Sequence, residues 1–278
     1  MNKQSLIETG KRSLVAGVIG LSLAISAQAG VPLNGLQGNG GVAFNPLAYP
    51  SGQNKDEKSD SPLSKPQFGA WYVNLSDVNV DWTAIGVSET IYDRLELSYG
   101  YEVVAPKGEN IKKSNIGAKL LVVPENAGGK AYIPAIAVGS IRKSTDNVAE
   151  GSDDSAFDYY GVATKLITQL PVPVLISGGL LSTKEQVTGV FGYNKNSDLT
   201  FFGNIDVIPL SFLAVGFEYK QGAEFDTFKN ANYWDAHLAY FANKNLTLVG
   251  AYVNAGDEKS TTTTGLGDGL VLSAQYAF

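Results

Sequence analysis

Cysteine is absent from the chain, and histidine and methionine occur once each. Without cysteine there are no disulfide staples and no thiolate chemistry. A single histidine beside no cysteine also leaves no zinc-binding set, and no cofactor is expected. Beyond residue 29 there is no window of ~18 apolar residues, so no transmembrane helix. Basic residues are in deficit: Lys+Arg number 21 against 27 Asp+Glu. An acidic chain has no basic patch to displace counterions, which excludes nucleic acid as a partner. What remains is 44% hydrophobic, with 31 glycines and 14 tyrosines. Aromatic residues and glycine in period-2 alternation point to β structure.

The start of the chain reads as an export signal. Lys3, Lys11 and Arg12 form a positive region, Ser13 to Ile25 is apolar or small, and Ala27-Gln28-Ala29 is an A-x-A cleavage site. The apolar run is too short for a spanning helix of ~20 residues. No cysteine stands at the cleavage point, so no lipid anchor is expected. Cleavage would remove Lys3, Lys11, Arg12 and Glu8, leaving 18 basic and 26 acidic residues and a net charge of −8.

Segments of ~10 alternating residues separated by turn signals mark a membrane barrel. Counting backwards, strands are expected at 269–278, 245–254, 232–241, 211–220, 198–207, 173–182, 156–167, 131–141, 113–123, 94–104, 79–88 and 67–76. That gives an all-β, antiparallel transmembrane barrel of about twelve strands, with 10 or 14 as alternatives. The connections agree: 242–244, 208–210, 168–172, 124–130 and 89–93 are short. The alternate set, 255–268, 221–231, 183–197, 142–155 and 105–112, is longer and more polar. Short periplasmic turns and longer external loops are the bacterial pattern. Only the tight loop Asp77-Val78 departs from it.

The faces agree as well. In 94–104, Leu95, Leu97, Tyr99, Tyr101 and Val103 oppose Arg94, Glu96, Ser98, Gly100 and Glu102. A charge on the lipid face costs ~2–4 kcal/mol at the midplane for Arg or Lys, so these charges are expected inward. By this rule the lumen is lined by Asp81, Arg94, Glu96, Glu102, Lys119, Lys165, Asp206, Glu218, Lys220, Asp235 and His237. Gly100, Gly117 and Gly161 are also expected inward, widening the bore. Strand 173–182 is apolar on both faces and has no readable orientation. The closing strand "GLVLSAQYAF" (269–278) is expected to pair with 67–76, since lipid offers no partner to a free edge.

"DRLELSYGYE" (Asp93–Glu102), "FDYYGVATKL" (Phe157–Leu166) and "YWDAHLAYFANKNLTLVGAYVNAGD" (Tyr233–Asp257) resemble a proteobacterial family recorded only as a domain of unknown function. Its members look like exported outer-membrane β-barrels. The resemblance covers most of 67–278 and implies a fold and a location, but brings no functional residues. The aromatic ending, Tyr276 and Phe278, resembles the signal that such barrels present to their assembly machinery.

Three domains follow: a signal peptide (1–29), a Gly-rich segment and linker (30–66), and the barrel (67–278). Within 30–53, Leu36, Val42, Phe44, Leu47 and Tyr49 are more apolar than a linker needs. The segment is read as a candidate lumen plug, with a periplasmic arm as the competing reading. Gly38, Gly40 and Gly41 make no phosphate loop, because no Lys-Ser/Thr follows. His237 and Asp235 share a face, but no G-x-S-x-G elbow accompanies them, so no catalytic residues are assigned. The acids Asp146, Glu150, Asp153, Asp154 and Asp158 lack Ca²⁺-loop spacing and read as surface charge facing lipopolysaccharide. The strand-like stretch 186–194 inside a long loop is expected to fold inward and constrict the lumen.

The function expected is passive passage of a small solute through a charged lumen in the outer membrane of a Gram-negative cell. The general secretory route would deliver the chain, with outer-membrane lipid, lipopolysaccharide and the barrel-assembly machinery as partners. A non-conducting structural or docking barrel is the alternative, and an outer-membrane lipid enzyme stands third.

Overall fold

The computed structural model describes residues 33–52, 61–106, 110–226 and 228–278. The signal peptide, its cleavage residues Ala27 and Ala29, and linker residues 53–60 lie outside the described residues.

Twelve antiparallel strands close into one barrel: β1 (Gln67–Leu75), β2 (Val80–Ile91), β3 (Leu95–Ala105), β4 (Ile111–Val123), β5 (Ala135–Thr145), β6 (Ser155–Ile167), β7 (Val174–Glu185), β8 (Tyr193–Leu210), β9 (Leu213–Lys220), β12 (Tyr233–Phe241), β13 (Leu246–Asn254) and β14 (Asp268–Ala277). A small hairpin, β10 (Glu224–Phe225) with β11 (Phe228–Lys229), sits in the connection between β9 and β12. β1 pairs with β2 on one side and β14 on the other, in a register running from Gln67 opposite Ala277 to Leu75 opposite Gly269. Closure satisfies every strand edge, as a hydrocarbon surround requires.

Period-2 alternation sorts the side chains. On β14, Leu270, Leu272 and Tyr276 face outward while Val271, Ser273 and Gln275 are buried. Strand β7, unreadable from sequence, turns Leu181, Thr183 and Glu185 inward. The outer surface carries two aromatic belts. Near the chain's C-terminal end, Phe278 packs edge-on against Phe68 and Tyr276, and Phe212 against Tyr240. At the opposite, long-loop end, Trp234 packs between Phe217 and Tyr252. Aliphatic residues such as Ile85, Ile116 and Leu272 lie exposed between these belts, where they would face hydrocarbon.

Four strands run three or more residues further than the sequence implies. β2 extends to Ile91, β5 to Thr145 and β7 to Glu185, and β8 spans Tyr193–Leu210. β5 starts at Ala135 rather than 131, because residues 130–133 form a turn closed by the Ile133 N–H on the Lys130 carbonyl (3.0 Å) and Pro134 has no N–H for the ladder. Residues 186–192 are a turn folded over the long-loop mouth, with Val187 and Val190 buried among Trp71, Val73, Tyr233 and Val253.

Candidate functional site: a lumen filled by residues 33–52

The bore inside a twelve-stranded barrel is wider than side chains alone fill, since eight strands already leave just enough room for them. Here the extra space is taken by residues 33–52. Asn34, Leu47 and Ala48 are almost completely buried. The segment coils on itself through paired backbone at Asn34 with Gly40 and Gly41 with Pro46. Gly38, with φ +88°, lies so close to β3 that a Cβ would sit 2.4 Å from the Tyr99 carbonyl oxygen. Across the contact, a Cβ on Gly100 would meet the Gln37 carbonyl at 2.2 Å. The inward glycine therefore admits the segment's backbone and does not widen the bore.

Two carboxylates of the wall hold this segment. Glu96 on β3 accepts the Gly40 N–H (2.9 Å) and the Ser51 N–H (2.7 Å). Glu218 on β9 accepts N–H groups from three successive residues: Ala43 (3.4 Å), Phe44 (2.9 Å) and Asn45 (2.9 Å). Successive N–H groups converging on one anion form a nest, here one that clasps a side chain of the barrel. Lys119, paired with Glu96 at 2.9 Å, donates to the Gly40 and Tyr49 carbonyls. Further ties run from Asn34 N to Gln275, from Trp71 Nε1 to the Asn34 carbonyl, and from Ala48 N to Thr164. Near the C-terminal end of the barrel the Tyr49 hydroxyl donates to Glu125 (3.0 Å). Burial first, and then the neighbouring Glu125, push this hydroxyl up, so it stays protonated as the donor.

The remaining inward charges are paired with one another. Glu102 meets Lys113 (3.1 Å) and accepts from Asn115 (2.5 Å), and Lys113 also lies over the Trp82 ring. Lys143 bridges Asp158 (2.6 Å) and Glu185 (2.8 Å), and Glu185 continues to Lys220 (3.0 Å). His237 is held between Asp235 at Nδ1 (2.6 Å) and Asp206 at Nε2 (2.8 Å). At the long-loop end the interior is apolar, with Leu36 of the plug among Trp71, Trp82 and Val253; an apolar cavity of about 50 Å³ remains there.

Eight of the eleven lumen candidates lie inside: Glu96, Glu102, Lys119, Asp206, Glu218, Lys220, Asp235 and His237. Three do not. Asp81 is on the outer face, because the inward residues of β2 are Val80, Trp82 and Ala84; it accepts from Tyr72 and Asn74 at the polar rim. Arg94 precedes β3 in an exposed turn and donates to the Leu121 and Val122 carbonyls. Lys165 has the outward parity of β6, next to Thr164, and pairs with Glu125 at the end of the barrel. Gly161 shares that outward parity. Conversely, Lys113, Lys143, Asp158 and Glu185 are interior charges that sequence reading left out or assigned to loops. Lys113 and Asp158 already share the inward parity of the strands expected at 113–123 and 156–167, and extending the parity of β5 and β7 by a few residues finds Lys143 and Glu185. The other four loop acids, Asp146, Glu150, Asp153 and Asp154, stay outside the lumen. Among the described residues no group of three or more His, Asp or Glu could hold a metal ion.

A family model described as "Protein of unknown function (DUF3034)" matches residues 30–275. The barrel is similar to the KdgM porin, at a TM-score of 0.53 and 13% identity over 76% of this chain and 99% of that one. A second KdgM structure, solved in complex with disordered oligogalacturonate, gives a TM-score of 0.51 at 13% identity, over 76% of this chain and 99% of that one. The NanC porin gives 0.50 at 10% identity, over 77% of this chain and 98% of that one. No curated protein sequence matches this chain.

Proposed function

The chain belongs to this family of unknown function, and we propose that it is an outer-membrane barrel closed by its own N-terminal segment, which passes small hydrophilic solutes when that segment withdraws. The largely apolar outer surface between two aromatic belts supports a place in the outer membrane. Lipid and lipopolysaccharide would cover that surface, and the assembly machinery would read the Tyr276 and Phe278 ending.

One observation carries the gated reading: the plug is fastened to Glu96 and Glu218 through exchangeable backbone N–H groups. Water replaces such donors readily once the segment leaves, and the vacated wall is polar. Ordering a segment costs ~1–2 kcal/mol per residue, so seating is a small difference between large terms and is reversible. Both ring nitrogens of His237 are engaged by carboxylates, which supports a role without catalysis.

A non-conducting structural barrel is the second reading, favoured by the apolar cluster at the long-loop end. That cluster includes Val187 and Val190 from the β7–β8 turn, which adds apolar contacts at the long-loop end. Planar-bilayer recording separates the two. Currents that grow on deletion of residues 33–52 are the expected result. Silence from both proteins, with folding verified by heat-modifiable gel mobility, would leave the structural barrel.

A further inference from the structure

The interior holds more acid than base. Among the described residues, the buried inward charges are seven carboxylates (Glu96, Glu102, Asp158, Glu185, Asp206, Glu218 and Asp235) against four lysines and His237. Even with the imidazole protonated, carboxylates are in excess. The plug compensates with donors: Glu218 binds three of its N–H groups and Glu96 two. Lys119 donates to plug carbonyls besides pairing with Glu96, so withdrawal leaves that pair intact. Among the described residues Glu218 has no lysine partner. It loses all three plug N–H groups and is left beside Asp235 and the histidine cluster.

A second observation points the same way. Asp235 Oδ2 is buried and has no hydrogen-bond partner in the described structure, as do Asp158 Oδ1, Asn115 Oδ1 and Asn204 Oδ1. Of these, Asp235 Oδ2 and Asn204 Oδ1 lie on the two strands flanking β9, directly opposite Glu218 in register, where a ligand rich in N–H donors would satisfy them. Water can satisfy Glu218 once the segment leaves, but its charge stays in a net-acidic lumen, so a species that displaces that water is favoured when it brings positive charge and several donors.

Resting on the gated-passage reading, we propose that the lumen is selective for cations. We infer further that the plug's nest on Glu218 occupies the site of a small organic cation carrying several N–H donors, a guanidinium or primary ammonium. Solute and plug then compete for one carboxylate, and the solute class that passes is the class that favours the open barrel. Lys143, Lys220 and Lys113 stay tied to Glu185, Asp158 and Glu102, which keeps them from acting as an anion path.

The test uses the full chain carrying Gly38→Val and Gly40→Val, which unseat the plug by crowding its closest contacts with β3 and with Glu96. Reversal potential is measured in a planar bilayer under a KCl gradient, then again with agmatine or with glucuronate on one side. K⁺ is expected to permeate several-fold more readily than Cl⁻. Agmatine is expected to block the K⁺ current and glucuronate to leave it unchanged. Adding Glu218→Gln should weaken the selectivity and the block, while Glu218→Asp should retain both. Chloride preference, no preference, or block by glucuronate would overturn the cation site and leave the gated passage standing. Complete silence from the folded, unseated barrel would overturn the passage itself.

Discussion

Lys143 is the most exacting residue of the interior. Its ammonium is buried and lies within 2.8 Å of Glu185 and 2.6 Å of Asp158, carboxylates on two different strands. Two acids held this close are tolerable only around a cation. Breaking a buried pair by removing one partner typically costs ~3–5 kcal/mol, because the other charge stays buried and uncompensated. Lys143→Met keeps much of the side-chain volume and removes the charge. It should lower unfolding stability by about 3–5 kcal/mol in urea titrations on lipid vesicles, read by tryptophan fluorescence. The exposed ion pair of Lys229 with Glu224 offers the contrast, since solvated pairs contribute ~0–1 kcal/mol. Lys229→Met should leave the same titration nearly unchanged.

At the scale of the strand, the decisive property is which side of the pleat a residue takes. Leu272 sits midway along β14 and is 62% exposed, yet its neighbour Ser273 is buried. In a water-soluble sheet an exposed leucine could become arginine at little cost. In a bilayer, Leu272→Arg should lower folded stability by ~2–4 kcal/mol, measured by reversible urea unfolding in vesicles. A value near zero would place β14 outside the hydrocarbon. The same periodicity explains what the sequence reveals and what it hides. Strand existence, strand number and the β1–β14 closure were legible, because ten alternating residues give enough periods to fix a face. Strand ends were not legible where glycine, serine and charge continue the alternation past the apolar band. Lys143 and Glu185 fell into loops for that reason, although both sit on the inward parity of longer strands. Asp81 and Lys165 were misplaced because a charge near a strand end reaches polar surroundings from either face, so the cost that forces midplane charges inward does not apply.

For the whole molecule, the question is how a wide barrel keeps a stable wall around a removable centre. The wall depends on interstrand backbone pairing that passes from β1 round to β14, with register shifts between β4 and β5, β7 and β8, and β8 and β9, and none of its ladder pairs uses residues 33–52. The segment was recognisable in sequence as too apolar for a linker. Its path could not be read there, because its anchors Glu96 and Glu218 lie far along the chain and accept backbone N–H groups, which carry no side-chain signature. Since the chain contains no cysteine, an engineered pair would be the only disulfide available. Ala48 N lies 2.8 Å from Thr164 Oγ1, so Ala48→Cys with Thr164→Cys puts two thiols on adjoining buried positions of plug and wall. Oxidation should then tether the segment inside and abolish openings in a bilayer. Reduction should restore openings to the frequency of the unmodified chain. A tethered barrel that still opened would show that ions pass without withdrawal of 33–52, and the gate would then have to be sought in the β7–β8 turn that closes the other mouth.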